Sequence, residues 1–310
     1  MGGSSLLSKY TWLVDTLRRT GRMTRAEINR RWMDSTVGNG SELRRRTFYN
    51  YRQAVADLFG VEILFDPSTD EYYISGDSDT SAPGGGDSVT DWLLNSAAMS
   101  GMLSDARSIS DRIFLEHVPS ARQNLAPMIE AIKNERVVRF DYHPFSRSVE
   151  TRGIELEPYL LKLFRQRWYV AGRNVAEGRI KTYALDRISE PTLTSTPFIM
   201  PPTFDPKEYF RYSFGIVVDR QKPRRVTLRT DSRQAKYLRA LPLHPSQQEM
   251  IHDDFSIFTY ELLLTPDFLR ELMSLGPDVT VIAPPELKTM LAERLRETLK
   301  LYDNDNNNNG

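Results

Sequence analysis

Between Arg44 and Gln53 the chain gathers side chains that suit contact with nucleic acid: Arg44, Arg45, Arg46, Thr47, Tyr49, Asn50, Arg52 and Gln53. Arginine forks match phosphates and guanine edges, Asn and Gln match adenine, and hydroxyls bond phosphate oxygens. Phe48, Tyr51, Val55 and Leu58 fall at helical spacing through the same stretch. A helix that buries these four turns the polar set outward. A second set lies further along: Tyr142, His143, Arg152, Arg167, Tyr169, Lys181, Tyr183 and Arg187. With Trp168, its aromatics offer faces on which bases can stack, and its cations can hold phosphates. The alternative is that Trp168 and Tyr183 are core and that Arg187 pairs with Asp186 or a backbone carbonyl. The core is favoured for Trp168 and a site for Arg187.

Catalysis has little to draw on. There is no cysteine, which removes disulfides and thiol chemistry and fits a reducing, cytoplasmic setting. The four histidines, His117, His143, His244 and His252, do not stand at metal-ligand spacing, so no metal and no cofactor are expected. No Gly-x-Ser-x-Gly, P-loop or dinucleotide fingerprint occurs, and Gly84-Gly85-Gly86 lacks the strand and helix such loops need. A non-enzyme is expected. No apolar run reaches the roughly 18 residues that span a bilayer, and Met1 to Ser5 does not begin like a secretory signal.

The 41 basic and 41 acidic residues cancel, but they are not evenly spread. Lys9 to Arg52 carries eleven basic residues against four acidic. Gln53 to Val118 carries two against twelve, and Pro119 to Arg187 thirteen against eight. A basic first block is the footprint expected of phosphate contact, although a solvated surface has the same composition.

The elements that must position these residues can be read from periodicity. Leu6, Tyr10, Leu13, Val14 and Leu17 predict a helix ended by Gly21. Thr24 and Glu27 form a capping-box pair opening a second helix through Trp32. After the third helix, Val61–Phe65 and Glu71–Ile74 flank a turn and predict a hairpin. Three helices and a hairpin in this order make a winged helix-turn-helix over 6–75, whose third helix enters the major groove. A helical domain that binds protein is the competing reading. Asp77 to Asp87 reads as a flexible linker. Apolar residues from Trp92 to Met102, and a segment from Ala121 or Leu125 to Asn134, predict connecting helices across 76–134. Strands are expected at Val137–Tyr142, Ile154–Leu161, Arg167–Arg173 and Arg179–Leu185, a spacing that suggests a small barrel over 135–200. Strands at Arg225–Arg229, Ile257–Leu264 and Val279–Ala283 alternate with helices at Ser232–Ala240, Pro266–Leu275 and Pro285–Leu301, filling 201–302. Asp303 to Gly310 is nearly all Asn and Asp and reads as disordered.

Arg167-Trp168-Tyr169-Val170-Ala171-Gly172 resembles the Trp-Tyr-Leu signature of the WYL-domain transcriptional regulators, with Val170 in place of Leu. Tyr183-Ala184-Leu185-Asp186-Arg187-Ile188 is similar to the family's second motif, and Glu157-Pro158-Tyr159 to the proline run before the first. Lys181 and Ala184 stand where the family often has arginine, which removes a fork that could grip a phosphate. The resemblance covers roughly 8 to 302. It implies an α+β multidomain chain: a winged helix-turn-helix, an Sm-like (SH3-like) β-barrel and a ferredoxin-like C-terminal extension. It also implies a homodimeric regulator, a repressor by expectation, that binds an operator in double-stranded DNA and senses a nucleotide or single-stranded nucleic acid. The alternative is an accessory or RNA-binding protein that uses its winged domain for protein contacts.

Overall fold

The computed structural model describes residues 6–74, 92–96, 99, 112, 114, 121–145, 148–219 and 221–306. The expected linker at 77–87, His117, and most of the apolar stretch after Ser96 lie outside them. The chain divides into two compact units, Met1–Glu116 and His117–Gly310.

In the first unit the order is α1 (Leu6–Thr20), β1 (Met23–Thr24), α2 (Arg25–Asp34), α3 (Arg45–Phe59), β2 (Ile63–Asp66) and β3 (Glu71–Ile74). The Thr24 hydroxyl accepts from the Glu27 amide at 3.3 Å, and the Glu27 carboxylate accepts from the Thr24 amide at 2.9 Å. These bonds satisfy free donors at the start of α2, as the capping box predicts. The hairpin is joined by a third strand, giving the antiparallel order β1-β3-β2. Two residues make β1, too few to show periodicity. Leu13, Val14, Leu17, Ile28, Trp32, Phe48, Val55, Ile63 and Tyr72 form the core. In α3 the buried set is Phe48, Tyr51, Val55 and Phe59, and Leu58 is exposed. Four residues return to the same face more closely than three after Val55, so Phe59 takes the place expected of Leu58.

The second unit begins with α4 (Arg122–Lys133), followed by β4 (Arg136–Tyr142), β5 (Thr151–Phe164), β6 (Arg167–Asn174), β7 (Arg179–Ala184), a 3₁₀ turn (Leu185–Arg187) and β8 (Ile188–Pro197). The strands form one antiparallel sheet in the order β7-β6-β5-β4-β8. The sheet is open: its edges, β7 and β8, do not pair, so the expected closed barrel is not formed. α4 supplies the missing cover. Met128 and Ala131 are fully buried with Val138, Phe140, Leu156, Val170, Tyr183 and Leu185. Strand β8 was not expected; its residues are mostly exposed and polar, so it carries no alternating pattern.

The remaining elements are α5 (Pro206–Tyr209), β9 (Arg224–Asp231), α6 (Ser232–Ala240), β10 (Gln248–Ile251), β11 (Phe255–Leu262), α7 (Pro266–Ser274), β12 (Val279–Ala283) and α8 (Pro285–Asn306). The order β10-β11-β9-β12, all antiparallel, with helices after β9 and β11, is the ferredoxin-like arrangement. Thr265 caps α7 through the Phe268 amide, as read from the sequence. α8 continues to Asn306, into the segment expected to be disordered. No helix among the described residues is long and apolar enough to cross a membrane.

Gly172 in β6 lies against β5 at the shift in register between Pro158 and Leu160. A Cβ there would overlap the Glu157 carbonyl oxygen and come within 2.9 Å of the Pro158 Cα. Backbone cannot swing aside as a side chain can. Gly172→Ala is therefore expected to cost about 1–3 kcal/mol of overpacking strain. Denaturant titration measures this, and a loss below about 0.5 kcal/mol would show that β5 yields.

Candidate functional sites

The first site is the outer face of α3. Its start is set by α2: the Asn29 side-chain oxygen accepts from the Leu43 amide at 2.8 Å, and Arg25 donates to the Leu43 carbonyl at 3.3 Å. Gly60, in the left-handed conformation at φ 66°, ends the helix where a side chain would be strained. Arg44, Arg45, Arg46, Tyr49, Asn50 and Gln53 are exposed, and Thr47 and Arg52 are half-buried. Arg44 precedes the first turn at the N-cap position. Gln53 donates to Asp57 at 2.9 Å. Tyr49 and Tyr72 hydroxyls lie 3.2 Å apart. The Arg45 guanidinium is 5.8 Å from the Tyr49 ring centre, and that of Arg52 is 6.0 Å from the Tyr72 ring centre. Beside these residues a groove of about 520 Å³ runs between α3 and β2, lined by Tyr49, Arg52, Gln53 and Glu62 among others. Beside the hairpin turn, Arg22 pairs with Asp66 at 2.8 Å and covers the Tyr73 ring.

The second site is built around the 3₁₀ turn that carries Asp186 and Arg187. The buried Asn124 of α4 holds this turn, donating to the Leu185 and Ile188 carbonyls at 2.8 Å each. Arg167 pairs with Asp186 at 2.6 Å. Arg187 instead lies over the exposed Phe145 ring at 3.9 Å, and its carbonyl accepts from the His143 amide at 2.9 Å. Tyr169 is beside them: burial raises its phenol above the ordinary value, while Arg167 and Arg187 pull it down. The Asp186 Oδ1 and Arg187 Nε atoms are buried with no hydrogen-bond partner among the described residues. Such atoms carry a desolvation cost of about 1–3 kcal/mol each until water or a ligand reaches them.

Other expected site residues are placed differently. His143 Nε2 lies 3.2 Å from Glu150, and Arg152 lies 3.3 Å from the same carboxylate. Glu150 therefore offsets the Arg152 charge expected to hold a phosphate and engages the His143 ring. Lys181 pairs with Glu177, which also takes Arg179, so it belongs to the β6–β7 turn rather than to Arg187. Tyr183 is core, 5% exposed, with its hydroxyl taken by Asn174 at 2.9 Å; it has no free face for stacking. Tyr169 is likewise buried, at 7%. Tyr142 is half-buried, its ring 5.0 Å from that of Tyr183. Trp168 is half-buried and packs at the edge of the core. Phe145, Glu150 and Asn124 had no signal in the sequence, since each is defined by a side-chain contact made only in the folded chain: with Arg187, with His143 and Arg152, and with the Leu185 and Ile188 carbonyls.

A charged junction joins the two sheets of the second unit. At the end of β5 the Lys162 ammonium donates to the Gly215 carbonyl at 2.6 Å and sits 4.0 Å from the Phe210 ring centre. Arg165 pairs with Glu271 of α7, and Phe164 packs on Phe214. Gly215 itself is at φ +90°, where a Cβ would crowd the Asp267 carboxylate.

The WYL domain model matches residues 123–193 and the WCX domain model residues 222–299, so the first match begins within α4. No curated protein matches the chain. Among solved structures, proteasome accessory factor B/C (PafBC) of Arthrobacter aurescens is 19% identical with a TM-score of 0.38, over 94% of this chain and 47% of that one. A CRISPR Cas-related protein is 11% identical with a TM-score of 0.38, over 70% and 60%. The chain spans about half the length of the first and less than two thirds of the second.

Burial holds the Lys162 ammonium at about 8, below the ordinary lysine value, with the Asp267 carboxylate acting in the opposite direction. Unfolding returns the group to water. From about pH 8 up to the ordinary value the unfolded chain then binds more protons than the folded one, so this group makes stability rise with pH. Melting temperatures compared at about pH 7.5 and 9.5 should shift upward more in the wild type than in Lys162→Met. Equal shifts would assign the junction no titrating role.

Proposed function

We propose that this chain, a WYL-domain protein with a WCX domain behind it, regulates transcription by binding double-stranded DNA through a winged helix-turn-helix in its first unit. The observation that carries the reading is the outer face of α3. Arg46 and Asn50 are exposed there and make no hydrogen bond or ion pair among the described residues. An arginine and an amide left unpaired side by side are suited to phosphate and adenine contacts. The surplus of eleven basic over four acidic residues from Lys9 to Arg52 supplies the attraction to the backbone. Helices and strands in this order support α3 as the helix that would enter the major groove.

The effector is proposed to be a nucleotide or single-stranded nucleic acid at the second site. Arg187 is its centre: a guanidinium lying on an exposed aromatic ring can take a phosphate while the ring takes a base. Arg167 is available only by leaving Asp186, which gives occupancy a structural consequence. The working form is a homodimer in the cytoplasm, and effector binding changes operator affinity, with repression as the default state. The chain is proposed to act without catalysis.

DNA affinity measured against salt tests the first part. Binding should weaken with a log–log slope of about −0.9 per phosphate neutralised. Arg46→Ala should reduce that slope by about one, and Asn50→Ala should cost about 1–3 kcal/mol and relax sequence preference. A flat salt response with unchanged affinities would instead favour the protein-binding accessory role. For the effector site, a fluorescent single-stranded oligonucleotide should bind the wild type and lose most of its affinity to Arg187→Ala, while duplex binding persists. Undiminished oligonucleotide binding would place the effector elsewhere.

A further inference from the structure

Tyr72 is almost fully buried, at 4%, yet its hydroxyl reaches the outer face of α3. Its ring meets Phe48 edge-on at 4.8 Å and Phe65 at 4.9 Å, so its position is fixed by packing. The hydroxyl it meets belongs to Tyr49, which is 39% exposed. Either oxygen could donate across the 3.2 Å between them, but the two choices differ in cost. If Tyr49 donates, the Tyr72 proton, on a residue only 4% exposed, is left without a partner among the described residues. If Tyr72 donates, its proton is satisfied, and the exposed Tyr49 keeps its own for solvent or a ligand. A buried hydroxyl stranded without a partner is the more expensive state. The Arg45 guanidinium also lies near the Tyr49 ring, 5.8 Å from its centre. Having accepted from Tyr72, the Tyr49 oxygen keeps its own proton free to point away from the wing. What Tyr49 presents outward is a hydrogen-bond donor.

We propose that Tyr72 is a positioning residue that fixes Tyr49 as a donor on α3, and that Tyr49 thereby selects a base with an acceptor in the major groove, such as guanine or thymine, over cytosine. The inference rests on the reading that α3 enters that groove. Cytosine presents only its amino donor there, whereas guanine offers O6 and N7 and thymine offers O4. A Tyr49 free to rotate would accept as readily as donate and would discriminate less. The wing strand β3 thus takes part in sequence choice without touching DNA. Its electrostatics agree: the Tyr72 phenol is pushed up to about 12, chiefly by burial, whereas that of Tyr49 is lowered, chiefly by the bond from Tyr72.

The test uses the full chain and a randomised duplex DNA library. The wild type is used to enrich binding sequences, and affinities for single-base variants of the enriched duplex are then measured for wild type, Tyr72→Phe and Tyr49→Phe. Both variants should lose roughly tenfold of the discrimination against cytosine at one common position, the size of a single base contact. Their salt slopes should stay at the wild-type value. Tyr72→Phe keeps the ring that packs on Phe48 and Phe65; should its melting temperature nonetheless fall, Tyr49→Phe reports the same base position from a surface site. If Tyr72→Phe discriminates as the wild type does, or if cytosine is preferred at the position Tyr49 reads, the inference is overturned while DNA binding stands. If the wild type enriches no duplex and its binding is indifferent to salt, the placement of α3 in the groove fails, and the inference with it.

Discussion

The second unit is organised around one buried amide. Asn124, on α4, donates to the carbonyls of Leu185 and Ile188, the residues that bracket Asp186 and Arg187. The Leu185 carbonyl already accepts from the Ile188 amide, so this one side chain adds a second bond there and one at Ile188, tying the turn to α4. The same contact seats Met128 and Ala131 on the sheet, and with them the cover that lets the sheet remain open. Where a barrel would satisfy its edges by joining them, this sheet ends in β7 and β8, with a helix laid across the layer between. The turn that results is held at its backbone, while Asp186 Oδ1 and Arg187 Nε are left without partners among the described residues.

Charge pairing then decides which cations are available. Arg152, Lys181 and Arg179 lie close to carboxylates and are mostly exposed, so each pair contributes little to stability. Arg173 differs. It grips Glu157, which is buried and also accepts from the Tyr159 hydroxyl at 2.8 Å, and the Arg173 guanidinium holds that carboxyl below the usual range. This triad clamps β5 to β6 at the register shift beside Gly172 and is structural. Arg187, lying on an aromatic ring rather than a carboxylate, stands apart from all of these. In the first unit the division is sharper still. Phe48, Tyr51, Val55 and Phe59 of α3 are used in packing, and the polar side carries few partners of its own.

Much of the fold was legible because it depends on local patterns. The capping box at Thr24 and Glu27, the Thr265 cap, and the extents of α6 and β12 follow from short-range spacing, and the structure reproduces them. The elements not foreseen are those without such a pattern. β1 has two residues, β8 lacks alternation, and β10 is a mostly exposed edge strand. The expectation of a barrel failed for a similar reason. Strand spacing specifies how many strands there are, but closure depends on whether the edges meet, and here α4 makes closure unnecessary.

By itself the sequence determined which residue types were available and, to within one residue at Leu58 and Phe59, which face of α3 each would occupy. The outward set on α3 is fixed by a 3.6-residue period, and a period is a property of the chain alone. The WYL motif residues were likewise legible as residues. Tertiary structure decided their roles. Tyr183 faces inward because β7 presents it to the layer under α4, whereas Tyr169, next to Val170 in β6, is buried on the opposite face of the sheet. Arg167 has Asp186 for a partner, whereas Arg187, its neighbour in sequence, has Phe145. Tyr49 meets Tyr72 across 23 residues. Such pairings are set by strand register and by the packing of distant elements, which a one-dimensional pattern does not carry. For that reason the chemistry available at each site was readable from the residues, but its direction was fixed only when the chain folded.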